Sequence, residues 1–591
     1  MPPVMVEGAA GAWEAPFDHT ASGSANPLTN RNSTAWPHTT APQWPPINGG
    51  NMMFHPVHAA LIPKGPHQGK ILLFDHQLQN TSAQPQMYQR WAILDPSPNA
   101  AVPIRNFYLP MPTNGGDLFC SGHAWTPNGD LLVAGGTVTY PANVAGGKLV
   151  YLFNPALPNT YYNDLGEWTR QADLDIPRWY PTVTLLHRFP EPSTNIAKSA
   201  VMISGGTEGA TANPDRAPQT YEGYFVTMPP NPFVGSSTLS RDTRTMAPWN
   251  AGVFNGPSGT NSTFFQYPRL FLLSNGSAFM AGMQTKGARV FHETGPGIWS
   301  YGGGNEDPNA NDVINGISFY VNGQRVYDSA VLMPINPFAQ DFVARSGGSP
   351  YGGITTKYVE YVQANPSGSS TWQPAPSMHK DRWHGNLTLL PDASILEVGG
   401  DSLWPTPQPR KNPELFRGFQ WVEMEPEAST RDYHSIALLL PDGRVLSGGG
   451  ESHTNTYQIF SPPYLTLGLY RPQTVTLQTP SGVPMVINAA STAYQVTHGQ
   501  QFVVNCTGLP PTSTNLAKIM LTAPGSVTHH SDMHQRSIEL TSSVDPLQPQ
   551  NNSRRLVQLP ASDKILPQGY YMLWAVTNQG APGNAVWVVI L

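Results

Sequence analysis

The sequence predicts an all-β protein, in which a seven-bladed β-propeller is followed by a C-terminal antiparallel β-sandwich. Three observations support this prediction. Charged residues make up only 12% of the 591 residues, against roughly 25% in an average globular domain. Glycine (55 residues) and proline (61 residues) are plentiful, which suits short strands and tight turns rather than long helices. The third observation is an internal repeat of strand, turn and strand, usually ending in a pair of glycines.

The repeat occurs seven times along the chain. Its copies start about 50 to 90 residues apart, which is typical of kelch repeats of roughly 50 residues with loop insertions. Each copy alone would be a small sheet with exposed faces, and closing seven copies into a ring buries those faces. We therefore expect a kelch-type propeller over residues 1–460, with a central channel at which the first strands of the blades begin. The copies start at Val57, Cys120, Arg178, Tyr267, Tyr327, Arg382 and Tyr433.

Segments outside the repeat complete the predicted domain organisation. The segment GAWEAPF, from Gly11 to Phe17, is expected to form a strand that closes the ring by joining the last blade. Residues 19–50 are rich in Ser, Thr, Asn and Pro and are expected to form an irregular loop. Alternating hydrophobic runs such as QFVVNCTGL and GYYMLWAVTN predict a separate Ig-like β-sandwich over residues 461–591.

Composition and charge argue against several functional classes. The formal net charge of -6 does not give the basic footprint that nucleic-acid binding usually requires. No apolar run approaches the roughly 18 residues of a membrane helix. The first fifteen residues have neither a basic start nor an apolar core, so the sequence predicts no signal peptide there. Two cysteines are too few for a disulfide framework.

Metal-competent side chains recur at the predicted starts of first strands. Tyr433 and His434 stand side by side ahead of an apolar run and a Pro-Asp-Gly turn. Cys120, in FCSG, and Tyr180, in RWYP, hold the equivalent position in the second and third repeats. In a closed ring these three starts would face one channel.

A second source of imidazole lies in the C-terminal part. The segment SVTHHSDMHQRSIEL, residues 526–540, carries three histidines in a predicted loop. One of them could extend into the channel beside the Tyr-His pair. Two imidazoles and phenolate oxygens suit copper(II) in a square or tetragonal arrangement. Zinc is less attractive, because its usual ligands are Cys, His, Asp and Glu.

These motifs resemble those of the copper-radical oxidases, the galactose oxidase and glyoxal oxidase family. FCSG, RWYP, the Tyr-His pair of DYHS, and TH followed six residues later by QR occur in the order in which that family has them. The resemblance covers nearly the whole chain, and the overall pattern is closer to the glyoxal oxidase branch and its bacterial relatives. Together the motifs are specific, whereas any one of them alone would be a weak signal.

The resemblance implies a role for each matched residue. Cys120 would be joined through sulfur to the ring of Tyr180, and the modified Tyr180 would bind copper and hold a radical. Tyr433 would be the axial ligand and proton acceptor, and His434 and His529 would complete the metal site. The cofactors would therefore be one copper ion and a protein-derived Cys-Tyr radical.

The reaction implied is the oxidation of a small aldehyde, acting as its hydrate, or of a primary alcohol, with dioxygen reduced to hydrogen peroxide. The same resemblance implies an extracytoplasmic or secreted protein, and we expect a monomer. Two other functions stay open at this point. One is a non-catalytic kelch propeller that binds carbohydrate or protein, and the other is a non-radical copper or zinc hydrolase.

Alternatives also stay open for individual residues. Cys120 could form a disulfide with Cys506, although Cys506 reads more simply as a core thiol. Trp179 could shield the radical, and Arg269 and Arg382 could hydrogen-bond a substrate oxygen. Four further histidines lie in or near the same segments. His123 and His384 are expected at most to line the pocket, and His530 and His534 are expected to face solvent.

Overall fold

The protein is represented by a computed structural model of the full chain. The residues described are 10–14, 17–18, 56–79, 87–96, 107–111, 117–138, 146–159, 165–207, 221–229, 235–241, 266–281, 289–292, 298–301, 312–314, 317–319, 325–336, 340–350, 355–364, 372–402, 408–450, 456–510 and 515–591. The irregular loop predicted over residues 19–50 lies outside them. Within these ranges the chain forms 47 strands and a single four-residue helix, so the all-β prediction is confirmed.

Two short strands, β1 (Ala12–Trp13) and β2 (Phe17–Asp18), precede a series of seven antiparallel sheets, which we number units 1 to 7. The first three units each contain a four-stranded meander in which consecutive strands pair. Unit 1 comprises β3 (His58–Leu61), β4 (Ile71–Gln79), β5 (Met87–Leu94) and β6 (Phe107–Met111). Unit 2 comprises β7 (Asp117–Trp125), β8 (Leu131–Thr137), β9 (Val150–Pro158) and β10 (Leu165–Arg170). Unit 3 comprises β11 (Trp179–Pro190), β12 (Ala197–Thr207), β13 (Tyr221–Thr227) and β14 (Thr238–Arg241).

Units 4 to 6 repeat this meander, with small two-stranded sheets between them. Unit 4 comprises β15 (Leu270–Leu272), β16 (Ala278–Met280), β17 (Arg289–His292) and β18 (Ile298–Tyr301). The pairs β19 (Asp312–Ile314) with β20 (Ile317–Phe319) and β21 (Arg325–Val326) with β24 (Ser349–Pro350) follow. Unit 5 comprises β22 (Ser329–Leu332), β23 (Phe342–Ser346), β25 (Val359–Gln363) and β26 (Gln373–Ala375). Unit 6 comprises β27 (Asn386–Leu389), β28 (Ile395–Val398), β31 (Glu414–Arg417) and β32 (Gln420–Glu423), with the pair β29 (Asp401–Ser402) and β30 (Gln408–Pro409) inserted.

Unit 7 joins the two ends of this series. It comprises β33 (Ser435–Leu439), β34 (Val445–Gly449) and β35 (Thr456–Ser461), with β1 and β2 both paired antiparallel to β35. The N-terminal strand β1 therefore lies at the edge of the last repeat sheet. Its neighbour there is β35, the strand from which the chain continues into the C-terminal part.

The C-terminal part begins with the helix α1 (Pro463–Thr466) and forms two further sheets. The four-stranded sheet has the order β36 (Val475–Gln478), β39 (Gln501–Cys506), β45 (Arg554–Gln558), β44 (Thr541–Val544). The six-stranded sheet has the order β37 (Ile487–Asn488), β38 (Ala493–Val496), β47 (Val586–Ile590), β46 (Gly569–Thr577), β40 (Leu516–Thr522), β43 (Ser537–Glu539). The remaining hairpin, β41 (Ser526–Thr528) and β42 (Ser531–Asp532), leaves these sheets and pairs antiparallel with β3 of unit 1.

One turn recurs between the first two strands of a unit, as the sequence repeat predicts. In unit 7 the Leu440 amide donates to the Arg444 carbonyl at 2.8 Å, and Gly443 takes the positive φ of 88° that the turn requires. The Thr126 amide donates to the Asp130 carbonyl in the same way in unit 2, at 2.8 Å. Turn chemistry therefore sets the register of these hairpins.

Neighbouring units contact each other mainly through their first strands. Such pairs are β7 with β11, β11 with β15, β22 with β27, β27 with β33, and β33 with β3. Unit 1 contacts unit 2 through β4 and β7, and units 4 and 5 share one hydrophobic cluster. The glycine pair of one unit hydrogen-bonds to the start of the next, as where the Gly348 amide donates to the Arg382 carbonyl at 2.8 Å. A Cβ atom at Gly347 would lie 2.3 Å from that carbonyl oxygen, so this close approach requires glycine.

The C-terminal sheets share hydrophobic cores with the repeat units. One cluster joins Leu438 of unit 7 to Met520 and Trp574 of the six-stranded sheet. A second cluster joins units 4 and 5 to both C-terminal sheets, and the Ile335 amide there donates to the Ser537 carbonyl at 2.9 Å. The C-terminal part is thus packed against the units and contributes a strand to one of them.

Candidate metal centre

A left-handed backbone marks the start of the first strand in six of the seven units. Positive φ is uncommon for residues other than glycine and concentrates at functional sites. Here it recurs at one repeat position, occupied by chemically active side chains. The residues and their φ values are Cys120 (64°), Tyr180 (65°), Tyr267 (46°), Tyr327 (56°), His384 (55°) and His434 (67°).

The hairpin of β41 and β42 brings two more such residues to the same place. His529 and His530 are the two central residues of its turn, with φ of 45° and 56°. Two-residue hairpin turns with positive φ at both positions strongly favour Asn and Gly. Because β41 pairs with β3, the tip of this hairpin lies among the starts of the first strands.

Four of the five residues expected at the site pack around one point. The Tyr180 and Tyr433 hydroxyl oxygens are 2.5 Å apart. The His434 and His529 rings have centroids 4.6 Å apart and lie almost perpendicular, at 88°. The ring of Tyr180 is 4.7 Å from that of His529, and the ring of Tyr433 is 3.9 Å from that of His434. These side chains come from units 3 and 7 and from the C-terminal hairpin.

Cys120, the fifth residue, lies against the same group. Its Sγ atom is 3.9 Å from Nε2 of His529, and it shares a hydrophobic cluster with Tyr180. Burial raises the pKa of the Cys120 thiol well above its usual value, and a hydrogen bond with Tyr180 opposes this only in part. The thiol is therefore a protonated group in contact with the Tyr180 side chain.

Hydrogen bonds fix the tautomer of His529. The Thr528 hydroxyl donates to the Val57 carbonyl at 3.0 Å. Its oxygen is also 2.7 Å from Nδ1 of His529. Since the single hydroxyl hydrogen is used on Val57, Nδ1 of His529 must carry the proton and donate to Thr528. The Nε2 lone pair of His529, which the Cys120 thiol contacts at 3.9 Å, is consequently the one that could bind a metal.

Burial keeps the Tyr180 phenol and the His529 imidazole uncharged. The pKa of Tyr180 is raised well above its usual value, mainly by burial and further by Cys120 and Tyr433. The pKa of His529 is lowered well below its usual value, again mainly by burial and then by the neighbouring histidines. Neutral imidazoles are the form that binds metals, and a bound dication would favour loss of the phenol proton.

The donor set fits copper better than the common alternatives. In the part of the chain that the structure describes, no three or more His, Cys, Asp or Glu side chains are arranged to hold a metal ion. A site built on Tyr180, Tyr433, His434 and His529 therefore relies on phenol oxygens. Two nitrogen and two oxygen donors match the preference of copper(II).

The three residues considered for substrate contact lie in different surroundings. The Trp179 ring stacks on that of Tyr180, with centroids 4.2 Å apart and planes at 17°. The Arg269 side chain is buried and donates to the Asp328 carbonyl at 3.0 Å, and burial lowers its pKa to about 10. Arg382 is fully buried in an ion pair with Glu414 at 2.7 Å. The structure therefore brings Trp179 to the site and uses Arg382 inside unit 6.

The structure also settles the remaining side-chain alternatives. Cys120 and Cys506 are both free thiols, so the disulfide is not formed, and Cys506 lies in a hydrophobic core as expected. The prediction that His530 faces solvent is wrong: its ring is 4% exposed and lies 5.0 Å from that of His384. His534 is partly buried.

Sequence reasoning left out two tyrosines of the cluster. Tyr267 lies 4.8 Å from the Tyr180 ring, and Tyr327 lies 6.1 Å from the Tyr433 ring. Both occupy the repeat position already recognised for Cys120 and Tyr180. Extending that position to every repeat would have found them.

Parts of the sequence are similar to proteins that are already known. Residues 484–590 match the family model of the galactose oxidase-like early set domain. The aldehyde oxidase GLOX1 of Arabidopsis thaliana is 29% identical over 350 residues, which cover 54% of this chain and 53% of that protein. The aldehyde oxidase GLOX of Vitis pseudoreticulata is 25% identical over 85% of this chain and 86% of that protein. In sequence this chain is similar to aldehyde oxidases, and it carries a galactose oxidase-like domain.

These similarities confirm the resemblance predicted from the sequence motifs and support the prediction of an oxidoreductase. The GLOX1 alignment spans only about half of each protein. A solved structure described as a novel fungal alcohol oxidase of the AA5 family, in complex with copper, shares the fold with a TM-score of 0.65. It is 18% identical, and the match covers 98% of this chain and 99% of that one.

Proposed function

We propose that this protein is a copper-radical oxidase that oxidises a small aldehyde, as its hydrate, or a primary alcohol, and reduces dioxygen to hydrogen peroxide. The observation that carries the proposal is the convergence of Cys120, Tyr180, Tyr433, His434 and His529 from four separate segments. A protein that served only as a scaffold would not need a buried thiol, two hydrogen-bonded phenols and two perpendicular imidazoles at one point. The names of the relatives, aldehyde oxidases and an alcohol oxidase, support the same reaction class.

Copper would be held by Tyr180, Tyr433, His434 and His529. It would supply a Lewis acid for the substrate oxygen and an acceptor for one of the two electrons removed. A thioether between Cys120 and Tyr180 would make that phenol easier to oxidise. Tyr180, once oxidised to a radical, could then accept the second of the two electrons. The site would then need neither flavin nor nicotinamide.

Tyr433 is the general base in this proposal. Its hydroxyl lies 2.5 Å from that of Tyr180, so a substrate that reaches Tyr433 is also next to the proposed radical. Its side chain is partly exposed, whereas that of Tyr180 is 5% exposed. Tyr433 is therefore the phenol that a substrate hydroxyl can reach, and Tyr180 is the one protected from solvent by the stacked Trp179.

For the architecture we propose that units 1 to 7 are the blades of one closed seven-bladed propeller over residues 1–460. The contacts between successive units and the shared sheet of β1 and β35 support closure. Residues 461–591 would form the Ig-like sandwich, whose β41–β42 hairpin supplies His529. No helix among the described residues has the length and apolarity to span a bilayer. An extracytoplasmic location and a monomeric state remain part of the proposal.

Peroxide release tests the proposed function. Copper-loaded, aerobically oxidised protein is expected to release hydrogen peroxide from at least one of methylglyoxal, glyoxal, glycolaldehyde and galactose. Tyr433→Phe should lower the turnover number by at least about 100-fold, because general-base catalysis contributes roughly that much. Tyr457→Phe removes a buried hydroxyl elsewhere in unit 7 and should leave turnover close to that of the unaltered protein.

The rival functions give different results in the same assay. A propeller that only binds carbohydrate or protein would release no peroxide from any of these compounds, even if it bound copper. A hydrolase would turn over a suitable ester without consuming dioxygen. Full peroxide production by Tyr433→Phe would contradict the assignment of the base.

A further inference from the structure

The peptide group between Phe119 and Cys120 is held in an unusual way. The pairing of β7 with β8 is irregular between Asp117 and Ser121, so the regular ladder does not fix this stretch. Two side chains hold it instead. The Thr137 hydroxyl donates to the Phe119 carbonyl at 2.9 Å, and the Cys120 amide donates to Nε2 of His58 at 3.1 Å.

The bond to His58 begins a chain of hydrogen bonds with a single direction. Since Nε2 of His58 accepts the Cys120 amide hydrogen, the proton of the neutral ring must lie on Nδ1. That nitrogen is 3.1 Å from Nε2 of His123, which must therefore accept. Burial lowers the pKa of His123 to about 3, so this ring is neutral as well.

The chain ends in the C-terminal hairpin. Nδ1 of His123 carries the remaining proton and lies 2.6 Å from the Ser526 hydroxyl oxygen. The Ser526 hydroxyl in turn donates to the His123 carbonyl at 3.0 Å. Every donor and acceptor in the series is thus used once. Ser526 is the first residue of β41, and His529 lies in the turn that follows this strand. One network therefore ties Cys120 to the hairpin that bears a proposed copper ligand.

The surroundings allow little alternative placement of His58. Its side chain is 0% exposed and stacks on Phe74, with centroids 4.4 Å apart and planes at 1°. It sits on β3, between the β41 strand and β4. A buried ring with two directed hydrogen bonds and a stacked face is a fixed acceptor for the Cys120 amide.

We infer that His58 is a positioning residue for formation of the thioether cofactor: it holds the Cys120 backbone so that the thiol faces the ring of Tyr180. The inference rests on the proposed function. In that step the Cys120 S–H bond and one ring C–H bond of Tyr180 break, and a carbon–sulfur bond forms. The two hydrogens, as two protons and two electrons, pass to dioxygen, which becomes hydrogen peroxide.

Cofactor maturation can be followed without measuring turnover. Copper-free protein is mixed with copper(II) in air, sampled over time, denatured with strong reductant and weighed by mass spectrometry. Thioether formation appears as a mass lower by two hydrogens that reductant does not restore. His58→Phe keeps the stacked ring but offers no acceptor, so crosslinking should be slower by at least about tenfold, since an unsatisfied buried amide is costly.

Two further variants separate positioning from general destabilisation. His58→Gln retains an acceptor for the Cys120 amide and should recover much of the rate. Ile71→Val alters the same strand pair, where Ile71 lies opposite Leu61, and should lower stability without slowing crosslinking. If His58→Phe does not fold, His123→Leu serves instead, because it removes the acceptor that keeps the His58 proton on Nδ1.

The outcomes distinguish the positioning role of His58 from the proposed function. Equal crosslinking rates in the unaltered protein, His58→Phe and His123→Leu would overturn the inference while leaving the proposed function intact. Failure of the unaltered protein to crosslink would overturn both. Slow crosslinking in His58→Phe that His58→Gln restores supports the positioning role.

Discussion

Left-handed backbone at a cysteine, three tyrosines and two histidines carries a conformational cost of about 1 to 3 kcal/mol at each position. The cost recurs at one repeat position, so it reflects how these sheets begin rather than an isolated irregularity. Its effect is to direct six side chains toward the same space. Strain at this position is the local means by which distant segments of the chain build one site.

Thr528 offers a test at the scale of a single residue. Thr528→Val keeps the side-chain shape but removes the acceptor of the His529 Nδ1 proton, so the ring can rotate or change tautomer. Copper affinity should fall by about 10- to 100-fold, the usual effect of losing such a partner. Titration against a chromophoric copper chelator measures this affinity directly.

Two matched variants control that experiment. Thr528→Ser preserves both hydrogen bonds and should restore affinity. Thr522→Val removes another buried threonine hydroxyl, which accepts from Trp574 Nε1 at 2.8 Å, and should cost stability but not copper affinity. Unchanged affinity in Thr528→Val would show that the tautomer of His529 is not set by this bond.

At the residue scale the sequence predicted which side chains form the site better than it predicted the burial of individual side chains. The five motif residues come together, because the motifs report the side chains that the site requires. His530 was placed in solvent because a loop histidine usually is, and a sequence does not show that β41 would pair with β3 and bury the turn. Tyr267 and Tyr327 were missed because a tyrosine at a strand start is ordinarily a packing residue.

At the scale of the element, an arginine recurs before the first strand of three units. Arg178, Arg382 and Arg431 each donate to a carbonyl of their own unit's glycine pair. Each also forms a buried ion pair, with Glu222, Glu414 or Glu427. In units 3 and 6 the arrangement joins the start of the unit to its second and third strands, and in unit 7 Arg431 reaches the third strand by donating to the Thr456 hydroxyl at 3.0 Å. This assigns Arg382 a place in the architecture of unit 6.

Arg382→Ala distinguishes an architectural role from a substrate-binding one. Removing the guanidinium leaves Glu414 buried without its cation, which typically costs about 3 to 5 kcal/mol of unfolding free energy. Lys380→Ala breaks the exposed pair with Glu423 on the same sheet and should cost less than about 1 kcal/mol. Urea denaturation measures both, and a raised KM with unchanged stability in Arg382→Ala would instead favour substrate contact.

Elements were predictable where local sequence determines them. The Pro-Asp-Gly and related turns fix their hairpins within a few residues, and the glycine pairs mark where one unit meets the next. The pairing of β41 with β3 joins positions separated by more than four hundred residues. No local pattern encodes such a contact, since it depends on how complete sheets pack.

At the scale of the whole molecule, the shared cores predict that the repeat units and the C-terminal sheets unfold together. Chains of this length commonly unfold in several steps. Here one hydrophobic cluster runs from unit 7 into the six-stranded sheet, another runs from units 4 and 5 into both C-terminal sheets, and β41 completes unit 1. Neither part can lose its packing without exposing apolar surface of the other.

Calorimetry and hydrogen exchange of a single core variant test this coupling. Met520→Ala removes a fully buried side chain of the six-stranded sheet, which should cost about 2 to 5 kcal/mol. One transition should move to lower temperature, and exchange should accelerate in β33 and β34 as well as in β40. Val486→Ala, at a position 82% exposed, should change neither. Two separate transitions, with only the C-terminal one moved by Met520→Ala, would show that the C-terminal sheets unfold on their own and that the shared clusters do not couple them to the repeat units.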